Sequence, residues 1–293
     1  KADIIIFIVP NDLTTFQYGN LKSVCDLLKG NVSQVIKSIN VSKVNYNVIS
    51  NILLKINTKA GGINFCAQVP PTLSNLIAKN IPYMIMGADV THPTASQQME
   101  GACASFASVV SSLDNDACKY TNQVVFNQRG RDIIDSMDEV IQTSLLRYEQ
   151  INKILPKRIF MFRDGLSEGQ FFESRKVELH AMKKGISTFK QNYNPSITFM
   201  CVQKRHHTRF YDSGNVGSYD CQPGLIVPDK LICEKLSFYL LSHKNIKGTA
   251  KAAHYKLMYD DGNFSLSQLA EFAFALCHNY ARCCSSVSIP APT

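Results

Sequence analysis

The chain has 293 residues, of which 45% are hydrophobic and 18% charged, with a net charge of +8 at pH 7. This is the composition of a globular protein, and no apolar run approaches the length of a membrane span. The charge only weakly favours a polyanionic partner. Ten cysteines without metal-type spacing favour reduced thiols and an intracellular location. Because Lys1 leads straight into a predicted strand, we expect a piece of a longer protein.

The first sixty residues alternate between strand and helix patterns. An apolar run that stops at Pro10 predicts a strand buried on both faces. Helical spacing follows, then a short strand and a second helix. The four elements are predicted over 3–9, 18–28, 34–36 and 44–56. This order predicts half of a Rossmann-like sheet, and the prolines of 62–82 indicate a connector.

A second α/β unit is predicted from residue 83 onward. Three strands of antiparallel type, a long amphipathic helix and a further strand form the order of an RNase H-like sheet. The predicted strands are 83–90, 103–113, 122–127, 158–163, 196–203, 231–242 and 253–260. The predicted helices are 131–155, 169–189 and 266–283. A loop rich in Gly, Ser and Asp covers 212–224.

Two of these apolar strands end on an aspartate that turn residues follow. Asp89 ends the strand that begins at Tyr83, and Asp164 ends the strand that begins at Arg158. Carboxylates at strand exits lie where open α/β sheets bind ligands. Two on neighbouring strands could hold a divalent metal between hard oxygen ligands, as phosphoryl transfer requires. The plainer alternative is a pair of structural aspartates.

Basic residues are concentrated in two places. The run 204–209 (K-R-H-H-T-R) directly follows a predicted strand and suits repeated phosphate contacts, although a solvated charged turn is the alternative. In the first unit, two pairs of residues lie one helical turn apart and could converge on one anion, or could be solvated faces. The set in the first unit is Tyr18, Lys22, Gln34, Lys55 and Lys59.

Four motifs together resemble the eukaryotic Argonaute family. They are G-A-D-V-T-H-P (87–93), R-D-G-L-S-E-G-Q-F (163–171), V-Q-K-R-H-H-T-R (202–209) and S-V-S-I-P-A-P (286–292). The resemblance covers nearly the whole chain. It implies an α/β fold with a Rossmann-like MID portion over 1–80 and an RNase H-like PIWI domain over 81–293.

The resemblance also implies roles for particular residues. Tyr18, Lys22, Gln34, Lys55 and Lys59 match the pocket for the 5′-phosphate and first base of a guide RNA. The positions that hold guide phosphates farther along are matched by Lys204, Arg209, Lys251 and Arg282. At the position of Lys251 the family often has arginine, so a bidentate contact with a phosphate would become a contact with a single point charge. Asp89 and Asp164 match metal-binding acids, so Mg²⁺ or Mn²⁺ is the expected cofactor.

The chain departs from the family pattern at the catalytic glutamate. That glutamate precedes two isoleucines at the start of the long helix, and Asp132 stands in its place here. Aspartate is one methylene shorter, and a misplacement of about 1 Å can lower a rate roughly a hundredfold. A histidine, the fourth member, would follow S-I-P-A-P beyond Thr293. The catalytic set in this chain is therefore Asp89, Asp132 and Asp164.

The expected function is binding of a small guide RNA with a 5′-phosphate and silencing of a complementary target RNA. Metal-dependent cleavage of the paired target is the activity that the acids would support. The alternative is a catalytically impaired guide-binding module that silences by recruiting partner proteins. The resemblance implies silencing-complex proteins as partners, no membrane, and a cytoplasmic location with the nucleus as a further compartment.

Overall fold

A computed structural model describes residues 3–43, 45–66, 71–74, 77, 81–99, 101, 104–213, 220–229, 237–245 and 248–293, without the side chain of Ser96. Its contacts divide the chain into two compact units. The first consists of Lys1–Phe65 with Tyr280–Ser285, and the second of Cys66–Asn279 with Ser286–Thr293. The predicted domain boundary after residue 80 stays a prediction, because residues 78–80 lie outside the described residues.

The described part of the first unit contains two parallel strands and three α-helices. The strands are β1 (Ile5–Val9) and β2 (Ser33–Lys37); the helices are α1 (Thr15–Lys22), α2 (Ser38–Ser42) and α3 (Tyr46–Lys59). A π-helical turn, Ser23–Leu28, extends α1. Thr14 and Gln17 form a capping box, so α1 begins earlier than predicted.

Two predictions for this unit differ from the structure. In the described part of the chain β1 pairs only with β2, and Ile6 and Ile8 are 49% and 63% exposed. The prediction of a strand buried on both faces is therefore wrong for β1. The short helix α2 was not predicted, since five residues are too few for a helical period to show. Asn45 caps α3 through its side chain, which sets the start of that helix at residue 46.

The second unit is built on an eight-stranded mixed sheet. Its strands are β3 (Tyr83–Thr91), β4 (Ser105–Ser112), β5 (Tyr120–Asn127), β6 (Arg158–Asp164), β7 (Ser196–Gln203), β8 (Leu225–Pro228), β9 (Ser237–Leu241) and β10 (Ala253–Asp260). They lie in the order β5-β4-β3-β6-β7-β10-β9-β8. Strands β3, β6 and β7 are parallel to one another, and the other neighbours pair antiparallel.

Helices cover both faces of this sheet. The long helices α5 (Met137–Asn152) and α6 (Phe171–Phe189) pack on one face, and α7 (Leu266–Cys277) packs on the other; α4 (Ala95–Met99) is short. Side chains of β3 alternate between the two cores, with Met84 and Met86 in the first and Tyr83 and Ile85 in the second. An α/β fold with a strand buried on both faces is thus confirmed here. None of the described helices is long and apolar enough to cross a membrane.

The largest difference from prediction lies before α5. The helix begins at Met137 rather than at residue 131. Gly130 has a φ of 71°, and the side chain of Asn127 donates hydrogen bonds to the carbonyls of Arg131 and Ile133. These bonds hold the segment as an irregular loop. Asp132 therefore lies in a loop before the helix and not in its first turn.

Two smaller differences concern the end of the chain. Helix α7 ends at Cys277, because the N–H groups of Val287 and Ala291 donate to the carbonyls of Cys277 and Leu276. The short strand β8 was not predicted. Part of the predicted strand 231–242 is β9, while residues 231–236 lie outside the described residues.

Candidate functional site

The two strand-end aspartates of the sequence lie on neighbouring parallel strands. Asp89 is close to the end of β3, and Asp164 is the last residue of β6. Both line a cleft of about 800 Å³, together with Asp132, Lys204 and Gln203. Because the carboxyl ends of parallel strands meet at one edge of a sheet, the topology brings these acids together.

The carboxylate of Asp89 lies directly against the turn that follows β6. A Cβ atom placed on Gly165 would come within 2.7 Å of Asp89 Oδ1, and Gly165 has a φ of +87°. Only glycine meets both conditions without strain. The glycine after Asp164 therefore permits the close approach of the first carboxylate to the second strand end.

Opposing influences act on the pKa of Asp164. Burial raises the pKa of its carboxyl group, and the charge of Asp89 raises it further. Lys204 has the opposite effect on this pKa, with Nζ 4.0 Å from Asp164 Oδ2. Gly165 N–H donates to Asp164 Oδ1 at 2.8 Å. The two carboxylates are close enough to repel each other, a repulsion that a bound cation would relieve.

Asp132 is held by two side chains that the sequence analysis did not assign to the site. Its Oδ1 lies 2.8 Å from His92 Nε2, and its Oδ2 accepts a hydrogen bond of 2.7 Å from Gln170. Burial alone would raise the pKa of Asp132, but the hydrogen bonds from Gln170 and His92 outweigh it and the pKa is lowered. His92 Nδ1 in turn lies 2.7 Å from Ser105 Oγ.

A buried ion pair supports the floor of this cleft. Arg163 and Glu178 both have side chains that are 0% exposed, and Arg163 Nε lies 3.1 Å from Glu178 Oε1. The guanidinium also donates to the backbone carbonyls of Asp132 and Asp164. Glu178 accepts from Ile134 N–H at 2.9 Å. One ion pair thereby fixes the backbone at two of the acids.

The donor set of the cleft fits a hard divalent cation. Asp89 and Asp164 supply carboxylate oxygens from adjacent strand ends, the ligands that Mg²⁺ and Mn²⁺ prefer. Asp132 makes its contacts with His92 and Gln170 instead. In the described part of the chain no three His, Cys, Asp or Glu side chains are grouped as a ready metal site. Metal binding by Asp89 and Asp164 stays a prediction.

Most of the predicted basic residues of the first unit converge. Lys22 Nζ donates to Asp26 Oδ1 and to Ser33 Oγ, both at 2.8 Å. Lys59 Nζ donates to the Ser33 carbonyl at 2.6 Å and to Gln34 Oε1 at 2.9 Å. Two lysines from different helices therefore meet at the start of β2, which no single motif in the sequence shows.

Two further cations belong to this group. Burial lowers the pKa of Lys59, and the charges of Lys22, Arg282 and Lys55 lower it further, while Asp26 opposes them. Arg282, which the resemblance assigns to guide phosphates farther along, lies in the first unit. We call Lys22, Lys55, Lys59 and Arg282 the basic cluster. Lys59 together with three cations that disfavour its charge forms a site suited to an anion.

Tyr18 borders a separate small pocket of the first unit. The pocket has a volume of about 280 Å³ and is lined mainly by β1, β2 and the start of α1. Tyr18 is 45% exposed and lies one turn before Lys22 on α1. An exposed tyrosine ring beside a cation is suited to stacking on a base next to a bound phosphate.

The remaining predicted cations lie in the second unit, after β7. The pKa of His206 is lowered by burial first, then by the charges of Arg209, Lys251 and His207, so these side chains are neighbours. Arg209 already donates to the carbonyls of His206 and Thr208. The pKa of His243 is lowered by burial and by Lys204.

One further group in this region stands out. His243 Nδ1 is buried without a hydrogen-bond partner among the described residues. His243 had not been predicted as a site residue. Its only sequence signal was a histidine directly after an apolar strand.

Comparison with known proteins identifies the family. A family model described as the Piwi domain matches residues 4–293. The chain belongs to the Argonaute/Piwi family. It is 36% identical over 314 residues to protein argonaute 1C of Oryza sativa subsp. japonica, and 37% identical over 317 residues to protein argonaute 5 of Arabidopsis thaliana. These alignments cover 100% and 99% of this chain but 31% of each relative. The chain thus spans about a third of the length of these curated relatives.

Solved Argonaute structures have the same fold. The C-terminal lobe of a budding yeast Argonaute superposes with a TM-score of 0.88 at 27% identity, covering 99% of this chain and 60% of that one. Kluyveromyces polysporus Argonaute with a guide RNA gives a TM-score of 0.88 at 26% identity, covering 99% of this chain and 34% of that one. A Rossmann-like MID portion followed by an RNase H-like PIWI domain is therefore confirmed as the fold class.

Proposed function

We propose that this chain binds the 5′-phosphorylated end of a small guide RNA and directs the silencing of a complementary target RNA. The convergence of Lys22 and Lys59 beside Gln34 carries the proposal. Family membership supports it, and the Kluyveromyces polysporus relative was solved with a guide RNA.

The basic cluster has the chemistry of a terminal phosphate site. Its cations lower the pKa of Lys59 and so favour an anion that neutralises them. A terminal phosphate carries more charge than an internal one, so it gains more from four converging cations. Gln34 can continue to accept the hydrogen bond from Lys59 through its side-chain oxygen. The ring of Tyr18 can stack on the first base of the guide.

Guide binding can be tested with the purified protein. Its affinity for a 5′-phosphorylated guide should exceed that for the same guide with a 5′-hydroxyl by at least about tenfold, the weakening expected from losing one charge-assisted contact. Lys22→Met should remove most of this difference, whereas Lys29→Met, at an exposed lysine of the same unit, should leave it unchanged. Equal affinities for the two guides would overturn the proposal.

The cleft of the second unit would cut the paired target strand. Asp89 and Asp164 would hold Mg²⁺ or Mn²⁺, which when bound supplies a Lewis acid and an activated water. Lys204, beside Asp164, would contact a phosphate of the bound strand. Gly165 permits the Asp89 carboxylate to lie close to the end of β6, and the Arg163–Glu178 pair fixes the backbone of the cleft.

Cleavage can be tested with a guide, a matched target and Mg²⁺. Asp89→Asn should lower the cleavage rate by at least about a hundredfold without changing guide affinity. Glu139→Gln makes the same charge change at an exposed position of α5 and should leave the rate unchanged. If Asp89→Asn cuts the target as fast as the wild type does, Asp89 is not part of the catalytic site.

A second candidate function is silencing without cleavage. Asp132 supports it, because this carboxylate is shorter than glutamate and both its oxygens are occupied by His92 and Gln170. Asp132→Glu in the full-length parent discriminates between the two functions. A large rise in cutting would mean that the native site is impaired, and an unchanged or lower rate would mean that aspartate is the working residue.

A further inference from the structure

Two cysteines of the second unit are in contact although 52 residues separate them in the chain. Cys118 Sγ donates a hydrogen bond to Cys66 Sγ at 3.1 Å. A disulfide requires about 2.05 Å between the sulfurs, so the two atoms need to approach by only about 1 Å. The proposed function uses neither residue, and the two cysteines lie outside every motif of the sequence analysis.

The two thiols differ in how they are held. Cys118 lies in the turn between β4 and β5, where Asp114 Oδ1 accepts from the N–H groups of Cys118 and Lys119. The side chain of Asn279 donates to the carbonyls of Asp116 and Ala117 in the same turn. These hydrogen bonds fix the turn and so hold the Cys118 sulfur in place.

Cys66 is the accessible partner. It is exposed and lies outside any helix or strand, whereas Cys118 is half-buried. A residue outside regular secondary structure can shift by about 1 Å at less cost than a residue in a turn held by several hydrogen bonds. The exposed thiol would therefore move toward the fixed one.

The pKa of Cys118 and the exposure of Cys66 indicate which cysteine reacts with an oxidant first. Burial raises the pKa of the Cys118 thiol, and its hydrogen bond with Cys66 raises it further, with Asp114 and Asp116 adding to the effect. A thiolate reacts with a peroxide much faster than a thiol does. Cys66, the exposed residue, is then the one that meets the oxidant, and Cys118 is the residue that resolves the product.

We infer that Cys66 and Cys118 form a reversible disulfide when the protein meets a peroxide. The Cys66 thiolate attacks one oxygen of the peroxide, which gives a sulfenic acid at Cys66 and releases hydroxide or an alkoxide; a proton from solvent converts the leaving group to water or an alcohol. The Cys118 sulfur then displaces hydroxide from the Cys66 sulfur, and the hydroxide takes up the Cys118 proton, so that the S–S bond forms and one water leaves. A small thiol reductant reverses the step by thiol–disulfide exchange.

The bond would act on the part of the chain that carries the acidic cleft. Cys66 is the first residue of the second unit, and the loop that the bond closes includes β3 and β4. Asp89 lies near the end of β3. A cross-link over a loop of this length restricts the unfolded chain and so stabilises the unit that contains it.

Mapping of the cysteines tests the inference directly. The purified, reduced protein is treated with hydrogen peroxide, alkylated and digested without reductant for mass spectrometry. We expect a peptide pair joined through Cys66 and Cys118, lighter than the two separate peptides by two hydrogens and absent after dithiothreitol. Cys66→Ser should lower the yield of peptides cross-linked at Cys118 at least about tenfold. Cys284→Ser, at another exposed cysteine, should not change the yield.

A thermal measurement supplies a second readout. Peroxide treatment should raise the unfolding midpoint of the wild type and of Cys284→Ser by a few degrees, and should not raise that of Cys66→Ser. The inference fails if Cys66 is oxidised only to sulfinic or sulfonic acid. It also fails if Cys118 cross-links equally well without Cys66, or if the cross-linked protein unfolds at the same temperature as the reduced one.

Discussion

The basic cluster of the first unit and the acidic cleft of the second are supported in opposite ways. The contacts of the basic cluster lie at partly exposed positions. In the pair of Lys22 and Asp26, for example, the lysine side chain is 23% exposed and the aspartate side chain 45% exposed. The acidic cleft depends on Arg163 and Glu178, which are both completely buried. The basic cluster is thus held by solvent-accessible contacts, and the acidic cleft by an ion pair within the core.

This difference sets how each site should respond to substitution. Exposed ion pairs contribute about 0–1 kcal/mol each, so a lost cation in the basic cluster weakens ligand binding more than folding. A buried pair that loses one partner leaves an uncompensated charge in the core. Changes behind the acidic cleft should therefore appear as lost stability, and changes in the basic cluster as lost affinity.

The largest expected effect comes from breaking the buried pair. Glu178→Ala leaves the Arg163 guanidinium buried without its carboxylate and should lower the free energy of unfolding by about 3–5 kcal/mol. Glu173→Ala on the same helix removes an exposed partner of Arg131 and should lower it by less than about 1 kcal/mol. Urea unfolding monitored by circular dichroism measures both. Equal losses in the two variants would contradict the contrast between the sites.

The next largest effect should come from the contact between the two strand ends. Gly165→Ala would place a methyl group 2.7 Å from Asp89 Oδ1 at a φ of +87°, which displaces the carboxylate. If the parent cuts its target, we expect the rate to fall about a hundredfold with guide affinity unchanged. Gly169→Ala meets no atom within 4 Å and is the matched control. A rate that survives Gly165→Ala would show that the position of Asp89 is not critical.

Much of the acidic cleft could be predicted because its signals are local. A buried strand appears as a continuous apolar run, and Asp89 and Asp164 end two such runs. The parallel pairing of β3 with β6 then brings the two acids together. Strand type and strand end are properties of a short segment, so the sequence was sufficient for them.

The support of Asp132 could not be predicted in the same way. The bond from Ile134 N–H to Glu178 joins residues 44 positions apart, and the bond from Gln170 to Asp132 joins residues 38 positions apart. No local pattern reports such partners. One signal was present: Glu178 falls within the apolar stripe of α6 that also includes Met182 and Ile186, and a charge in such a stripe indicates a buried partner.

A smaller effect on binding should follow from removing one cation of the basic cluster. Lys59→Ala should weaken binding of a 5′-phosphorylated guide by about 1.5–3 kcal/mol, the range for a hydrogen bond to a charged group. Fluorescence anisotropy with a labelled guide measures the affinity. Lys43→Ala, at an exposed lysine of the same unit outside the cluster, should have no effect. A loss of folding stability with unchanged affinity would reverse the contrast proposed for the two sites.

The smallest expected effect is the pH dependence of that affinity. Burial and the charges of Lys22, Arg282 and Lys55 lower the pKa of Lys59, so this side chain loses its proton at a lower pH than an ordinary lysine. An anion binds the protonated form. Affinity for the 5′-phosphate should therefore be full at neutral pH and fall a few-fold as the pH rises through the lowered pKa.

A single substitution isolates the contribution of Lys59 to this pH profile. A guanidinium stays charged over the whole range, so Lys59→Arg should flatten the decline. A 2′-O-methylated guide resists alkaline hydrolysis and permits the titration from pH 7 to about pH 10, near the ordinary lysine pKa. If Lys59→Arg and the wild type decline together, Lys59 is not the lysine whose charge the phosphate requires.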